Sequence, residues 1–150
     1  MVPFVVFYLL PQFFLKVQQE LDILVVKHDV LPIVGVIIID LGVMLVLWCF
    51  AVLFVYKKEP LNPLASPLDF ENKGPYKIIL HPMLLAVHII LFGEILFLQS
   101  PFLLLLLLIW IRFSHLYVVN FKEPYLLAVF GKAYYDYWKV TPRWFPKIKN

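Results

Sequence analysis

The sequence has a single cysteine and few charged residues, and each shortage excludes a class of protein. Because Cys49 has no second cysteine to pair with, a disulfide framework and a cysteine-based metal site are both excluded. Charged residues make up 15% of the 150 residues, well below the roughly 25% of a typical soluble protein. The net charge of +3 is modest, and the basic residues do not form the stripe of a nucleic-acid-binding protein. Neither a metal site nor a nucleic-acid partner is therefore predicted.

Apolar residues, in contrast to charged ones, are abundant in the sequence. They make up 63% of the chain, and the mean hydropathy is +0.87. A helix needs about 20 apolar residues to cross a bilayer, and several runs approach that length. The sequence therefore predicts one all-α integral membrane domain, a multi-pass helical bundle of three to four spans. Its predicted parts are a short apolar helix and polar connector at 1–32, a span at 33–56, a proline-rich loop at 57–80, spans at 81–98 and 101–120, and an amphipathic C-terminal segment at 121–150.

The orientation in the membrane is predicted from the lysine and arginine residues. Four lysines lie in the segment 57–77, and six basic residues follow residue 120. Two antiparallel spans separate these segments, so both lie on the same side of the membrane. The other side has only two lysines, which precede residue 30. Because basic residues are concentrated in cytoplasmic segments, the loop and the C-terminal segment are predicted to be cytoplasmic.

Several ionisable residues interrupt the apolar runs. Such residues are functional candidates because burying them in a membrane is costly. Arg112 and His115 lie three residues apart on the last predicted span, and the same helical face leads to Glu123. His81 begins the preceding span, so matching depth along the two antiparallel spans places it next to Glu123. Arg112 and His115 are candidate catalytic residues, with the alternative that Arg112 snorkels to a lipid headgroup.

Four blocks in the second half of the sequence carry the most specific signal. They are GPYKIILHPMLLA at 74–86, FGE at 92–94, HLYVVNFKEP at 115–124 and FGKAYYDYWKVTPRWFP at 130–146. In these blocks the chain resembles the isoprenylcysteine carboxyl methyltransferase and phospholipid methyltransferase group of small membrane proteins. The blocks occur in the order and with the spacing of that group, which makes the four together much more specific than any one of them.

The resemblance implies a helical membrane fold whose cytoplasmic C-terminal segment caps a cofactor cleft. It also implies S-adenosylmethionine as the methyl donor. The acceptor would be a lipid, a prenylated molecule or another small hydrophobic molecule that enters from the surrounding membrane lipids. By their positions in the blocks, the implied cofactor-binding residues are Tyr76, His81, Met83, Ala86 and Glu123. Arg143, in the last block, joins Arg112 and His115 as a catalytic candidate.

The chain departs from the group's pattern at four positions in these blocks. Leu80 replaces a basic residue, Leu84 a tyrosine, Ala86 a glycine and Lys122 the first glutamate of a Glu-Glu pair. The departures leave one alternative open, and the C-terminal ending leaves another. One is a diverged, non-catalytic membrane protein that retains the fold. The other is an NADPH-dependent oxidoreductase of the sterol-reductase type, whose aromatic and proline-containing C-terminal ending is similar.

Overall fold

The computed structural model describes residues 28–56 and 73–144, together with residues 12, 13, 16, 17 and 20. Over these residues the chain is helical and contains no strand, which confirms the predicted all-α class. Three predicted segments lie largely or wholly outside the described residues. They are the short apolar helix at the N-terminus, most of the proline-rich loop at 57–80, and the end of the C-terminal segment after residue 144.

Residues 28–56 and 73–144 contain five α-helices, numbered here in chain order. They are α1 at Val30–Tyr56, α2 at Pro82–Leu98, α3 at Pro101–Tyr117, α4 at Glu123–Phe130 and α5 at Lys132–Val140. A 3₁₀ turn at Gly74–Lys77 precedes α2. A π-helical segment at Val118–Lys122 joins α3 to α4 without a break, so these elements form one continuous helix.

Two of the described helices are long and apolar enough to cross a membrane. They are Val30–Val55 and Pro101–Phe130. At 1.5 Å per residue the second is about 45 Å long, which exceeds the roughly 30 Å hydrocarbon core of a bilayer. Helix α2 has 17 residues, a length of about 26 Å. Two of the predicted spans therefore have the length and composition required, and the total of three to four stays a prediction.

The helix that begins at Pro101 continues to Phe130, beyond the predicted end of the span at residue 120. Pro124 lies within it, and a proline inside a helix donates no hydrogen bond and crowds the carbonyl four residues earlier. The π-helical segment accommodates this proline, because in its wider turn the Glu123 N–H donates to the Val118 carbonyl. The helix therefore runs on, with a shifted register, into the region that carries Glu123.

The described chain divides into two units. One comprises residues up to Gly42 together with His88–Arg112, and the other comprises Val43–Val87 together with the residues from Phe113 onward. In the first unit, α1 and α2 meet through two glycines. A Cβ on Gly35 would lie 2.6 Å from the backbone nitrogen of Phe97, and a Cβ on Gly93 would lie 2.8 Å from the Gly35 carbonyl oxygen. Only glycine allows two helix backbones to approach so closely.

The turn between α2 and α3 belongs to the same unit and is held by the side chain of Gln99. The backbone of Gln99 has a φ of +52°, in the left-handed region that a chain reversal uses. Its side-chain carbonyl accepts a hydrogen bond of 2.8 Å from the His28 N–H, and its amide donates one of 2.7 Å to the His28 carbonyl. These two bonds fasten the turn to the residues just before α1.

The second unit has two small apolar cores. The first is formed by buried residues of α1 and the 3₁₀ turn, with partly buried neighbours around them: Cys49, Val52 and Tyr76, then Leu45, Leu53 and Met83. The second is formed by the residues before α2 and by α5, again with partly buried neighbours: Leu80, Tyr134 and Tyr137, then Leu126, Phe130 and Trp138. The aromatic residues of α5 thus hold the C-terminal region against the segment that precedes α2.

Candidate functional site

The segment before α2 is fixed by Gly74 and Tyr76. Gly74 has a φ of +51°, and a Cβ there would lie 2.8 Å from Cγ2 of Val52, so any larger residue is disfavoured both by backbone strain and by space. Tyr76 is buried, and burial raises the pKa of its phenol. The Tyr76 carbonyl accepts a hydrogen bond of 2.7 Å from the hydroxyl of Tyr137. The turn is therefore anchored to α5, and His81 follows it along the chain.

Helix α5 and the residues after it dock on the same segment. Gly131, with a φ of +56°, ends α4 and allows the chain to turn into α5. One face of α5 is buried through Tyr134 and Tyr137, which are three residues apart. Beyond α5, the Leu80 N–H donates a hydrogen bond of 2.8 Å to the Pro142 carbonyl. Beyond these contacts, Arg143 reaches Glu123 at the start of α4, and Trp144 reaches His115 in the last turn of α3.

The buried carboxylate of Glu123 is the centre of the site. Glu123 is the first residue of α4 and is 7% exposed. Arg143 binds both of its oxygens, Nε to Oε1 at 2.7 Å and Nη2 to Oε2 at 2.9 Å. The indole Nε1 of Trp138 donates to Oε2 at 3.2 Å, and the guanidinium of Arg143 lies 5.4 Å from the centroid of the Trp138 ring. A carboxylate offers about four lone-pair positions, so one position remains, on Oε1.

The hydrogen bond to Glu123 also acts on Arg143. It raises the pKa of the Arg143 guanidinium, which therefore stays protonated beside the carboxylate. The Arg143 side chain is 36% exposed, whereas that of Glu123 is 9% exposed. The pair therefore joins a buried anion to a cation that reaches the surface.

His81 lies beside the remaining lone pair of Glu123. Its Nε2 is 3.5 Å from Oε1, at the outer limit of a hydrogen bond, and the side chain is only 3% exposed. Among the described residues, Nε2 has no hydrogen-bond partner. Burial lowers the pKa of His81 below its usual value of 6.5, so the imidazole is neutral near pH 7. The predicted adjacency of His81 and Glu123 is confirmed, and the two residues present unfilled hydrogen-bonding positions side by side.

Trp144 contacts both histidines of this unit. Its indole N–H donates a hydrogen bond of 3.1 Å to Nδ1 of His115. Its ring centroid lies 6.1 Å from that of His115 and 6.3 Å from that of His81. Because Nδ1 of His115 accepts the bond, the proton of the neutral ring is on Nε2. Trp144 therefore fixes the tautomer of His115 and forms an aromatic wall next to His81.

A pocket of about 290 Å³ opens beside Glu123. Its first wall comes from the π-helical segment and α4, through Val119, Pro124 and Leu127. Its second wall comes from α5 and the residues after it, through Tyr134, Tyr135, Trp138 and Arg143. Apolar and aromatic walls with a few polar groups are typical of small-molecule sites, which usually measure roughly 300–1,000 Å³. The pocket has this composition and lies at the lower end of that size range.

A match over most of the chain decides its family. Residues 30–133 match the phospholipid methyltransferase family. The chain belongs to this family. No curated protein and no solved structure matches the chain. The family match includes His81 and Glu123 and ends before Trp138 and Arg143, so the site of this phospholipid methyltransferase family member combines residues inside and outside the matched region.

The implied cofactor-binding residues differ in what they offer a ligand. Ala86 is fully buried, Tyr76 is buried, and Met83 is partly buried against the Tyr76 core. These three side chains fill the interior of the second unit. His81 and Glu123 are the two that present unfilled hydrogen-bonding positions. Cofactor binding by all five residues stays a prediction for this phospholipid methyltransferase family member.

The three candidate catalytic residues also lie in different surroundings. Arg143 binds Glu123, and His115 accepts the hydrogen bond of Trp144. Arg112 is exposed and belongs to the first unit. Arg143 and His115 therefore belong to the cluster around Glu123 in the second unit, and their part in catalysis stays a prediction.

Three aromatic residues of the site were missed by the sequence reasoning. From the sequence alone, the aromatic composition of the C-terminal segment favours an interfacial belt for Tyr134, Trp138 and Trp144. In the structure Trp138 donates to Glu123, Trp144 donates to His115, and Tyr134 lines the pocket. All three belong to the block at 130–146, and this was the signal that could have assigned them to the site.

Proposed function

We propose that this protein is an S-adenosylmethionine-dependent membrane methyltransferase, which transfers a methyl group to a lipid, prenylated or other small hydrophobic acceptor. The observation that carries the proposal is the buried Glu123 carboxylate, with one free lone pair beside the unpartnered Nε2 of His81. Membership of the phospholipid methyltransferase family supports the reaction class, and through it the cofactor.

The hydrogen-bonding positions at Glu123 and His81 fit the hydroxyl and amino groups of S-adenosylmethionine. A hydroxyl donates one hydrogen bond and accepts others, so it can satisfy a carboxylate lone pair and an imidazole nitrogen together. A hydrogen bond to a charged group contributes about 1.5–3 kcal/mol, and more where water is excluded. In this proposal Glu123 and His81 hold the cofactor, while Arg143 and Trp138 fix the orientation of the carboxylate.

The cofactor would supply an electrophilic methyl group carried by a sulfonium sulfur. Transfer to an acceptor is an in-line displacement, so the chain contributes mainly by alignment and by exclusion of water. The low exposure of Glu123 and His81 provides the exclusion of water. The ring of Trp144, next to His81, offers a face that attracts a cationic centre.

In this proposal the protein crosses the membrane three or four times, and its C-terminus lies in the cytoplasm. The two long apolar helices and the distribution of basic residues support this arrangement. Because the chain has a single cysteine, the orientation can be tested by labelling a cysteine introduced at a chosen position. In a Cys49→Ser background, a cysteine placed at the exposed Lys139 should react with an impermeant maleimide only after the cells are opened. Labelling of intact cells would reverse the assigned orientation.

The first test of function is S-adenosylmethionine binding to the detergent-purified protein, with NADPH as the competing ligand. Glu123→Gln removes the charge but keeps the size of the side chain, and it should weaken binding by about 10- to 100-fold if one charge-assisted hydrogen bond is lost. Asp136→Asn is the matched control, because Asp136 is an exposed carboxylate of α5 in the same unit. His81→Asn tests the hydrogen-bonding position at Nε2 of His81, and it removes no hydrogen bond that Nε2 makes to the described residues.

The outcomes separate the alternatives. Micromolar binding of S-adenosylmethionine that Glu123→Gln and His81→Asn weaken, and Asp136→Asn does not, supports the proposal. Binding of NADPH in its place would favour the reductase alternative. A folded protein that binds neither ligand would overturn the enzyme proposal and favour a non-catalytic protein, consistent with the replacements at Leu80, Leu84, Ala86 and Lys122.

A further inference from the structure

The hydroxyl of Tyr134 has no hydrogen-bond partner among the described residues, although the residue is only 2% exposed. An unmade hydrogen bond at a buried polar group costs about 1–3 kcal/mol. Tyr137, three residues later on α5, is also buried but donates to the Tyr76 carbonyl at 2.7 Å. The same helix therefore carries one satisfied and one unsatisfied tyrosine hydroxyl, and the unsatisfied one needs an explanation.

The position of Tyr134 provides that explanation. Tyr134 lines the pocket beside Glu123, whose other walls are mainly apolar and aromatic. Tyr134 shares the lining of this pocket with Glu123 and Arg143, the two charged residues there. Burial raises the pKa of this phenol, so the hydroxyl keeps its proton and acts as a donor. The pocket therefore lies beside a buried donor that has no acceptor among the described residues.

We propose that this pocket binds a small amphiphile, whose apolar part fills the space and whose oxygen or nitrogen lone pair accepts a hydrogen bond from Tyr134. A volume of about 290 Å³ holds about ten groups the size of a water molecule, which sets the buried part of the ligand at about ten non-hydrogen atoms. The hydroxyl is out of contact with water, so the ligand reaches it by displacing a neighbouring side chain of the wall. That this ligand is the methyl acceptor rests on the proposed function, whereas the binding itself does not.

The test compares Tyr134→Phe with Tyr137→Phe in the full chain, reconstituted in lipid nanodiscs. The probes are decan-1-ol, which has eleven non-hydrogen atoms, and 1-chlorodecane, which has the same size and no hydroxyl group. Ligand-induced shifts of the thermal midpoint report affinity, because a ligand that binds the native state stabilises it. Each variant loses one hydroxyl oxygen and keeps its ring, so the two are matched in size.

Without ligand, Tyr137→Phe should lower the thermal midpoint, because it removes an internal hydrogen bond, and Tyr134→Phe should leave it unchanged or raise it. With ligand, Tyr134→Phe should bind decan-1-ol about 3- to 10-fold more weakly than the unaltered protein, the loss expected for one hydrogen bond. Tyr134→Phe should bind 1-chlorodecane as well as the unaltered protein does.

Two results would overturn the proposal. The first is a Tyr134→Phe midpoint as low as that of Tyr137→Phe, which would mean that the hydroxyl has a partner within the protein. The second is equal affinity of Tyr134→Phe and the unaltered protein for decan-1-ol. Tyr134-dependent binding in a protein that does not bind S-adenosylmethionine would support the pocket and refute the proposed function, so failure of one can be told from failure of the other.

Discussion

Replacement of Arg143 by methionine tests whether this residue holds the Glu123 carboxylate in place. The variant loses both hydrogen bonds of the guanidinium and leaves Trp138 as a donor to Oε2. Breaking a fully buried ion pair costs about 3–5 kcal/mol, whereas an exposed pair contributes about 0–1 kcal/mol. Glu123 is buried but the Arg143 side chain is 36% exposed, so the expected loss lies between these limits, at about 2 kcal/mol.

The loss should appear as a lower thermal midpoint of the detergent-purified protein, measured by tryptophan fluorescence at one scan rate. For a chain of this length about 1 kcal/mol corresponds to about 2–4 °C, so the midpoint should fall by about 4–8 °C. Lys132→Met is the matched control, because it removes one exposed positive charge from the same unit and should leave the midpoint nearly unchanged. Arg143→Lys retains the charge but cannot bind both oxygens in the same plane, and it should give an intermediate value.

A double-mutant cycle with Glu123→Gln separates this contact from general damage. If the two side chains stabilise each other, the double variant should be more stable than the sum of the single losses predicts, by about 1–2 kcal/mol. Losses that add to within about 0.5 kcal/mol would refute the reasoning, because they would show that the two residues contribute independently.

Gly93 and His81 offer two further tests. Gly93→Ala would place a Cβ 2.8 Å from the Gly35 carbonyl oxygen, and this overpacking should lower the free energy of unfolding by about 1–3 kcal/mol. Replacing the exposed Phe92 by leucine is the control and should leave the free energy of unfolding nearly unchanged. An unchanged thermal midpoint for Gly93→Ala would contradict the glycine contact. Burial lowers the pKa of His81, so the stability that depends on its neutral form is complete above pH 6.5 and is lost as the pH falls below that value. His81→Asn should remove this part of the pH dependence of the thermal midpoint, and identical pH profiles for the variant and the unaltered protein would show that His81 does not titrate as described.

The helical class and the two long apolar helices could be predicted because the length and composition of the apolar runs indicate them. The continuation to Phe130 of the helix that begins at Pro101 could not be predicted. Pro124 normally predicts a helix end, and the π-helical segment that compensates for it has no simple sequence signal. The Gly35–Gly93 contact was also missed. These glycines lie 58 residues apart on different helices, so periodicity within one helix gives no information about their contact.

The adjacency of His81 and Glu123 could be predicted because both lie at the end of an apolar run. Residues at the same depth on two adjacent antiparallel spans are expected to be neighbours. Depth does not give the partners of Glu123, since Trp138 and Arg143 come from a helix and a segment that fold back on the site. Their approach depends on the turn at Gly131 and on the Leu80–Pro142 hydrogen bond, which are tertiary features. Sequence spacing therefore found the cluster but not the contacts that hold it.

Two buried polar atoms without partners among the described residues belong to neighbours of Glu123. Nε2 of His81 lies 3.5 Å from Oε1 of Glu123, and the hydroxyl belongs to Tyr134, which lines the same pocket as Glu123. Folded proteins satisfy the large majority of their buried polar groups, so two unsatisfied groups around one carboxylate favour a site that ligands complete. In the proposed enzyme the methyl donor provides the partner that Nε2 of His81 lacks, and the amphiphile provides the partner that the Tyr134 hydroxyl lacks, so each ligand satisfies one of the two groups.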